Sequence, residues 1–102
     1  MHRNIRDRKL LDLAYEYPCM LRFDGICDGG NGEPAHSNQP KHGKGGAMKA
    51  HDLFAVPACR SCHIALDQGG ELTRDARRDA WEYAFSQYIV QLWVDGRIGR
   101  IG

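Results

Sequence analysis

The sequence predicts a small α+β domain closed around a metal ion. Three observations carry that prediction: four cysteines in two pairs, a length that permits one modest core, and helical stripes of apolar residues toward both ends. The pairs are Cys19 with Cys27 and Cys59 with Cys62, and they bracket a stretch rich in glycine, histidine and lysine. The second pair runs straight into a histidine as Cys59-Arg60-Ser61-Cys62-His63. A Cys-x-x-Cys turn directs two sulfurs at one ion, and a second pair from farther back completes a tetrahedron, the arrangement zinc prefers. Two disulfides or unpaired buried thiols are the alternatives for an even cysteine count. The N-terminus is charged, with no apolar run behind it, so nothing suggests export. A reducing, cytoplasmic compartment is the expectation, and it favours metal.

At 102 residues, 42% hydrophobic and 26% charged, the chain reads as a single domain over residues 1–102 with no segment able to span a membrane. Chain entropy and apolar burial nearly cancel at this size, so a structural zinc would tip the balance toward folding. Three sections are expected: an N-terminal helix in residues 1–18, a zinc-bound core in residues 19–72, and a C-terminal helix and tail in residues 73–102.

From Asp7 to Tyr17 the residues Leu10, Leu11, Leu13, Ala14 and Tyr17 recur at helical spacing until Pro18 stops them. Cys19 to Cys27 contains Asp24-Gly25 and predicts a hairpin of two short strands. Asp28 to Pro34 is a run of turn formers, where the chain reverses. The polar segment that follows His36 is too glycine-rich for a stable helix and too long for a plain turn, which marks it as functional or mobile. Leu53 to Val56 predicts a brief strand ending at Pro57. The cysteine knuckle should open a helix running to Gly69-Gly70. Thr73 is placed to cap the longest helix, about residues 74–94, ended by Gly96 and followed by a frayed tail. Trp81, Phe85, Tyr88 and Leu92 form one stripe at helical spacing, which favours core packing over a base-stacking platform.

The net charge of +1 argues against a protein that coats nucleic acid by bulk charge. The distribution is more informative. The segment from His36 to His63 inclusive holds Lys41, Lys44, Lys49 and Arg60 against the single acid Asp52, together with four of the five histidines. If this loop folds over a duplex, Lys41, His42, Lys44, Lys49 and Arg60 are candidate phosphate contacts. Otherwise they keep a solvated loop soluble, the role His42 fits better by itself.

His63, on the first turn of the helix after the knuckle, has Asp67 four residues later on the same face. Together they offer one nitrogen and one oxygen to a second ion. His36, at the end of a strand entering the loop, can take a proton from water near neutral pH, as a general base does. The plainer alternatives are that His63 only hydrogen-bonds the knuckle and Asp52 is an ordinary turn acid. His51 stays undecided.

The order Cys19…Cys27…Ala35-His36…Asp52-Leu53…Ala58-Cys59-Arg60-Ser61-Cys62-His63 resembles the HNH-type, ββα-metal nucleases, and within them the small phage and prophage nucleases of the YbcO type. Gly43-Lys44-Gly45-Gly46…Lys49-Ala50-His51-Asp52-Leu53-Phe54 is similar also to the catalytic region of phage RecA-dependent nucleases of the Ref type. The resemblance covers residues 19 to about 68. It implies a ββα-metal core flanked by helices and a metal-dependent DNA endonuclease activity. It further implies His36 as the general base, Asp52 in the place of the middle asparagine that holds the loop, and His63 as a ligand of the catalytic ion. Cys19, Cys27, Cys59 and Cys62 match the structural zinc site. Mg²⁺ or Mn²⁺ is the implied catalytic ion, with zinc as a further option for a histidine ligand. DNA is the implied partner, with a phage or host recombination protein beside it. Ala35 departs from the pattern, because many members carry a metal ligand there; Asp67, His51 or water would have to make up the set. The rival reading is a non-catalytic zinc module that binds DNA or a recombination protein. A third, an interaction domain using the exposed face of the long helix, has no motif behind it.

Overall fold

The computed structural model describes residues 4–46 and 48–99. The first three residues and the last three of the expected tail lie outside these. Helix α1 spans Arg8–Ala14, strand β1 Glu33–His36, strand β2 Ala55–Ala58, helix α2 Arg60–Gln68 and helix α3 Arg74–Val94. A 3-10 turn at Pro40–His42 interrupts the long polar segment. The result is a small α+β domain in which three helices surround one two-stranded antiparallel sheet.

Helix α1 begins where Asp7 accepts hydrogen bonds from the Lys9 and Leu10 amides. It is shorter than its apolar pattern suggests. After Ala14 the chain tightens, with Tyr15, Glu16 and Tyr17 each donating three residues back, before Pro18 forces it extended. Gly32 then passes so close to α1 that a β-carbon there would sit 2.8 Å from the Ala14 carbonyl oxygen and 2.5 Å from Pro57 Cβ. Only glycine permits that approach.

The two strands expected across residues 19–27 are absent. Arg22 takes a left-handed φ of 51°, and the Ile26 and Cys27 amides both donate to the Phe23 carbonyl, so the segment coils instead of extending. Convergence of the two thiols on one point accounts for this, since an extended ladder would hold them apart. The strand pair is instead formed by β1 and β2, in the register Glu33↔Ala58, Pro34↔Pro57, Ala35↔Val56 and His36↔Ala55. Pro57, expected to end a strand, lies inside one. It faces Pro34, where neither residue has an amide to donate, and its carbonyl accepts instead from the Met20 amide at 2.8 Å.

Cys59 is the N-cap of α2, its sulfur accepting from the Cys62 amide, and Gly69 closes the helix at φ 82°. Thr73 caps α3 through the Ala76 amide at 3.0 Å. The α3 stripe packs as the spacing predicts: Trp81, Ala84, Tyr88 and Leu92 are buried and Phe85 is half-buried beneath the loop. Trp81 donates from its indole nitrogen to the Ala35 carbonyl at 3.1 Å, which ties α3 to β1. The start of the tail is held: Arg97 forms a two-pronged ion pair with Glu16, at 2.5 and 2.9 Å, and Ile98 packs on the core. Among the described residues no helix is long and apolar enough to cross a membrane.

Candidate functional site

The four cysteines are free thiols whose sulfurs all lie within 4.8 Å of one another. The Cys27 and Cys59 sulfurs are 4.0 Å apart, far beyond a disulfide bond. A tetrahedron with metal–sulfur bonds of about 2.3 Å has edges of about 3.8 Å, so the cluster can hold a metal ion such as zinc. The Phe23, Gly29 and Cys62 amides each point at a sulfur, those of Cys62, Cys27 and Cys59 respectively, at 3.4 Å. Burial pushes the Cys62 thiol upward against the Phe23 bond, so metal entry there must displace a proton. A bound ion would fasten the 19–27 coil to the start of α2.

That anchor leaves the first turn of α2 opposite the end of β1. His63 approaches Glu33 Oε1 with Nδ1 at 3.4 Å and Asp67 Oδ2 with Nε2 at 3.5 Å, so its ring stands between two carboxylates. Its Nδ1 is buried and lacks a hydrogen bond, because the approach to Glu33 is close but not aligned for one. Arg60 Nη1 reaches the same Glu33 oxygen at 3.4 Å from the outer edge.

Across from it, His36 Nε2 lies 2.8 Å from Asp52 Oδ1. Asp52 is only 5% exposed. Its other oxygen accepts from the Asp7 amide at 2.7 Å, and Arg6 Nη1 stands 3.6 Å from Oδ1. Burial alone would raise the Asp52 carboxyl, but the His36 and Asp7 hydrogen bonds and the Arg6 charge outweigh it and hold the group below the usual range. Asp52 is thus an ionised, immobilised partner of His36.

The N-terminal arm fixes the rest of the loop. Asn4 donates to the Gly43 and Lys49 carbonyls at 2.7 and 2.8 Å, and Arg6 donates to the Lys49 and Ala50 carbonyls. The His51 Nδ1 accepts from the Ile5 amide at 2.8 Å. His51 is therefore occupied in holding the arm.

Glu33, His36, Lys44, Lys49, His63 and Asp67 line one open cleft of about 690 Å³. Asp52 stands behind His36. The other predicted phosphate-binding residues lie elsewhere. Lys41 turns to Glu82 on α3 at 2.7 Å, and Arg60 sits beyond Glu33. His42 is a packed residue, in contrast to the solvated one that the loop composition suggests: it stacks on Phe54 at 4.3 Å, and its Nδ1 lies 2.6 Å from Ser37 Oγ. Burial lowers its pKa, with Lys41 adding to the effect and Glu82 opposing it. Two features of the site escape the sequence. Glu33 sits within a run of turn formers, and the arm of residues 4–7 carries no pattern that points 40 residues ahead.

No family model matches the chain, and no curated protein matches it. Its structure is similar to a solved structure described as "a putative bacteriophage protein from Escherichia coli str. K-12 substr. MG1655", with a TM-score of 0.67 and 22% identity. The likeness spans 84% of this chain and 98% of that one. At that identity it shows a shared fold.

Proposed function

We propose that this protein is a phage-associated, metal-dependent endonuclease of the HNH type that hydrolyses DNA phosphodiester bonds. One observation carries the reading: an imidazole held by a buried carboxylate, His36 with Asp52, faces the same cleft as His63, an imidazole standing between two carboxylates. The succession of β1, β2 and α2 with a cysteine cluster at the helix start fits a ββα-metal core. The structural likeness to a protein described as a bacteriophage protein supports the phage context.

In this reading the Asp52 carboxylate accepts from Nε2–H of His36 and so fixes the ring tautomer, leaving Nδ1 to take a proton from water. Asp52 then stabilises the imidazolium that results. His63 would hold the catalytic ion with carboxylate help from Glu33 and Asp67. The residues fit such an ion, because the buried Nδ1 of His63 has no hydrogen bond and a carboxylate oxygen lies 3.4 Å from it. Ala35 is fully buried and supplies no ligand; Glu33, two residues earlier on β1, would supply the oxygen in its place. A mixed nitrogen and oxygen set suits Mg²⁺ or Mn²⁺ and also admits zinc. When bound, the ion would stabilise charge on the phosphate and the leaving oxygen. Lys44 and Lys49 stand at the cleft to receive flanking phosphates.

The test is cleavage of single-stranded, duplex and branched DNA with Mg²⁺ or Mn²⁺, with and without a recombinase filament as partner. His36→Ala should cut about 10² to 10⁴ times more slowly while keeping its fold and zinc. If no substrate is cut, or His36→Ala cuts as well as the wild type, the zinc-module reading replaces this one.

A further inference from the structure

Helix α3 carries two stripes, and the core uses one. Trp81, Phe85, Tyr88 and Leu92 face inward. On the opposite side a second set, Ala76, Ala80, Tyr83, Gln87, Val90 and Val94, recurs at alternating steps of four and three along almost the whole helix. That is the seam spacing by which one helix packs lengthwise against another. Tyr83, Val90 and Val94 are 68%, 61% and 70% exposed. Ala76 and Gln87 are exposed as well, and Ala80 is half-buried. Among the described residues, then, nothing covers this seam. Not one of the twelve residues from Tyr83 to Val94 is charged, in a chain that is 26% charged. A helix face turned permanently to water carries charged and polar side chains instead.

We infer that this seam is the interface of a homodimer, in which α3 packs against α3 of a second copy in antiparallel, two-fold pairing. The inference is independent of the nuclease reading.

Self-complementarity identifies the occupant. A two-fold axis crossing the helix at Phe85 sets Ala76 opposite Val94 of the partner subunit, Ala80 opposite Val90 of the partner subunit, and Tyr83 opposite Gln87 of the partner subunit. Each branched side chain then meets a small one, so the two helices approach closely without clash or void. Tyr83 and Gln87, the seam residues with polar ends, meet each other, and the phenol can hydrogen-bond the amide. Parallel pairing would instead set every residue against its own copy, with alanine on alanine at one end and tyrosine on tyrosine in the middle. The antiparallel arrangement also lays the positive N-terminal end of each helix beside the negative C-terminal end of the other. The seam holds no cation to attract phosphates or lipid headgroups and no carboxylate to attract a basic partner. Its six residues span about 27 Å of helix, which places the contact at the small end of specific interfaces, with dissociation in the micromolar range.

Sedimentation equilibrium of the full chain at up to about 100 µM tests this, with circular dichroism and metal content showing that each variant is folded. The wild type should sediment with twice the mass of one chain. Val90→Glu puts a charge into the seam and should weaken the dimer at least about ten-fold. Ile64→Glu, at a position 42% exposed on α2, should change nothing. A charge swap reads the orientation. Ala76→Glu alone and Val94→Lys alone should each weaken association, and the two together should restore it, because antiparallel pairing brings the opposite charges face to face. Parallel pairing would set like charge against like in the double variant. A wild type that stays monomeric at about 100 µM overturns the inference and leaves the face to a different protein. A dimer that Val90→Glu leaves intact overturns it too, since the copies would then meet elsewhere. A double variant that associates no better than the single ones overturns the antiparallel pairing.

Discussion

Asp52 is fixed by neighbours from two other parts of the chain: His36 at the end of β1, and Arg6 and the Asp7 amide from the N-terminal arm. Asp52→Ala would leave the partly buried Asp7 amide without an acceptor, a loss of about 1 to 3 kcal/mol, whereas Asp52→Asn keeps one acceptor oxygen and should lose less. Urea denaturation of the two variants checks the order. His42 gives a pH dependence whose sign follows from burial. Its folded-state pKa is lowered, so below about 6.5 the unfolded chain takes a proton that the folded chain resists. Its contribution to stability is therefore complete above about pH 6.5 and is lost as pH falls toward the folded-state value. Denaturation midpoints should drop more between about pH 7.5 and 5.5 in the wild type than in His42→Asn. Of these residues, His36 and His63 are legible in the sequence because a strand end and a cysteine knuckle fix their frames. The packed state of His42 is not, because loop composition does not reveal that Phe54 and Trp81 close over its ring.

Among the described residues, helix α2 and the 19–27 coil share no ladder of hydrogen bonds; they meet at the cysteine cluster, at the Phe23 amide directed at Cys62, and in the core that buries Leu21 and Phe23 with Leu66. Without a metal, four thiols, their amides and a few apolar side chains must hold that junction. Purified protein should therefore contain about one tightly bound zinc per chain, and Cys62→Ser should be molten or insoluble, since zinc in small domains supplies on the order of 10 kcal/mol of apparent binding energy. Metal analysis with circular dichroism before and after chelation checks this. A metal-free wild type that is fully folded under reducing conditions would remove the zinc site. Sequence serves unevenly at this scale. The α3 stripe, its Thr73 cap and the α2 start are readable from spacing and capping chemistry. The 19–27 segment misleads because Asp24-Gly25 reads as a hairpin turn, whereas Arg22 turns left-handed and the Ile26 and Cys27 amides fold back on the Phe23 carbonyl. A turn signal reports that the chain reverses; it does not report whether the residues on either side of it extend.

Across the whole molecule the cations sort into two groups, and the sorting is invisible in a net charge of +1. Some are engaged by neighbouring carboxylates, such as Lys41 by Glu82, while Lys44 and Lys49 are presented at the cleft. What holds them there is the N-terminal arm, whose Asn4 and Arg6 grip the loop backbone at Gly43, Lys49 and Ala50. A loop pinned at both ends offers its lysines at fixed spacing, so each should neutralise one phosphate rather than act as diffuse charge. Every duplex phosphate that a protein ceases to neutralise flattens the dependence of log affinity on log salt by about 0.9. Lys44→Ala with Lys49→Ala should thus weaken binding to all duplex sequences alike and reduce the slope by about two. Lys41→Ala, outside the cleft and already paired, should leave the slope nearly unchanged. Anisotropy titrations from low to physiological salt decide the matter. A double variant with the wild-type slope would mean that DNA does not enter by the histidine cleft, and a Lys41→Ala effect as large as the double variant's would move the path to the α3 side.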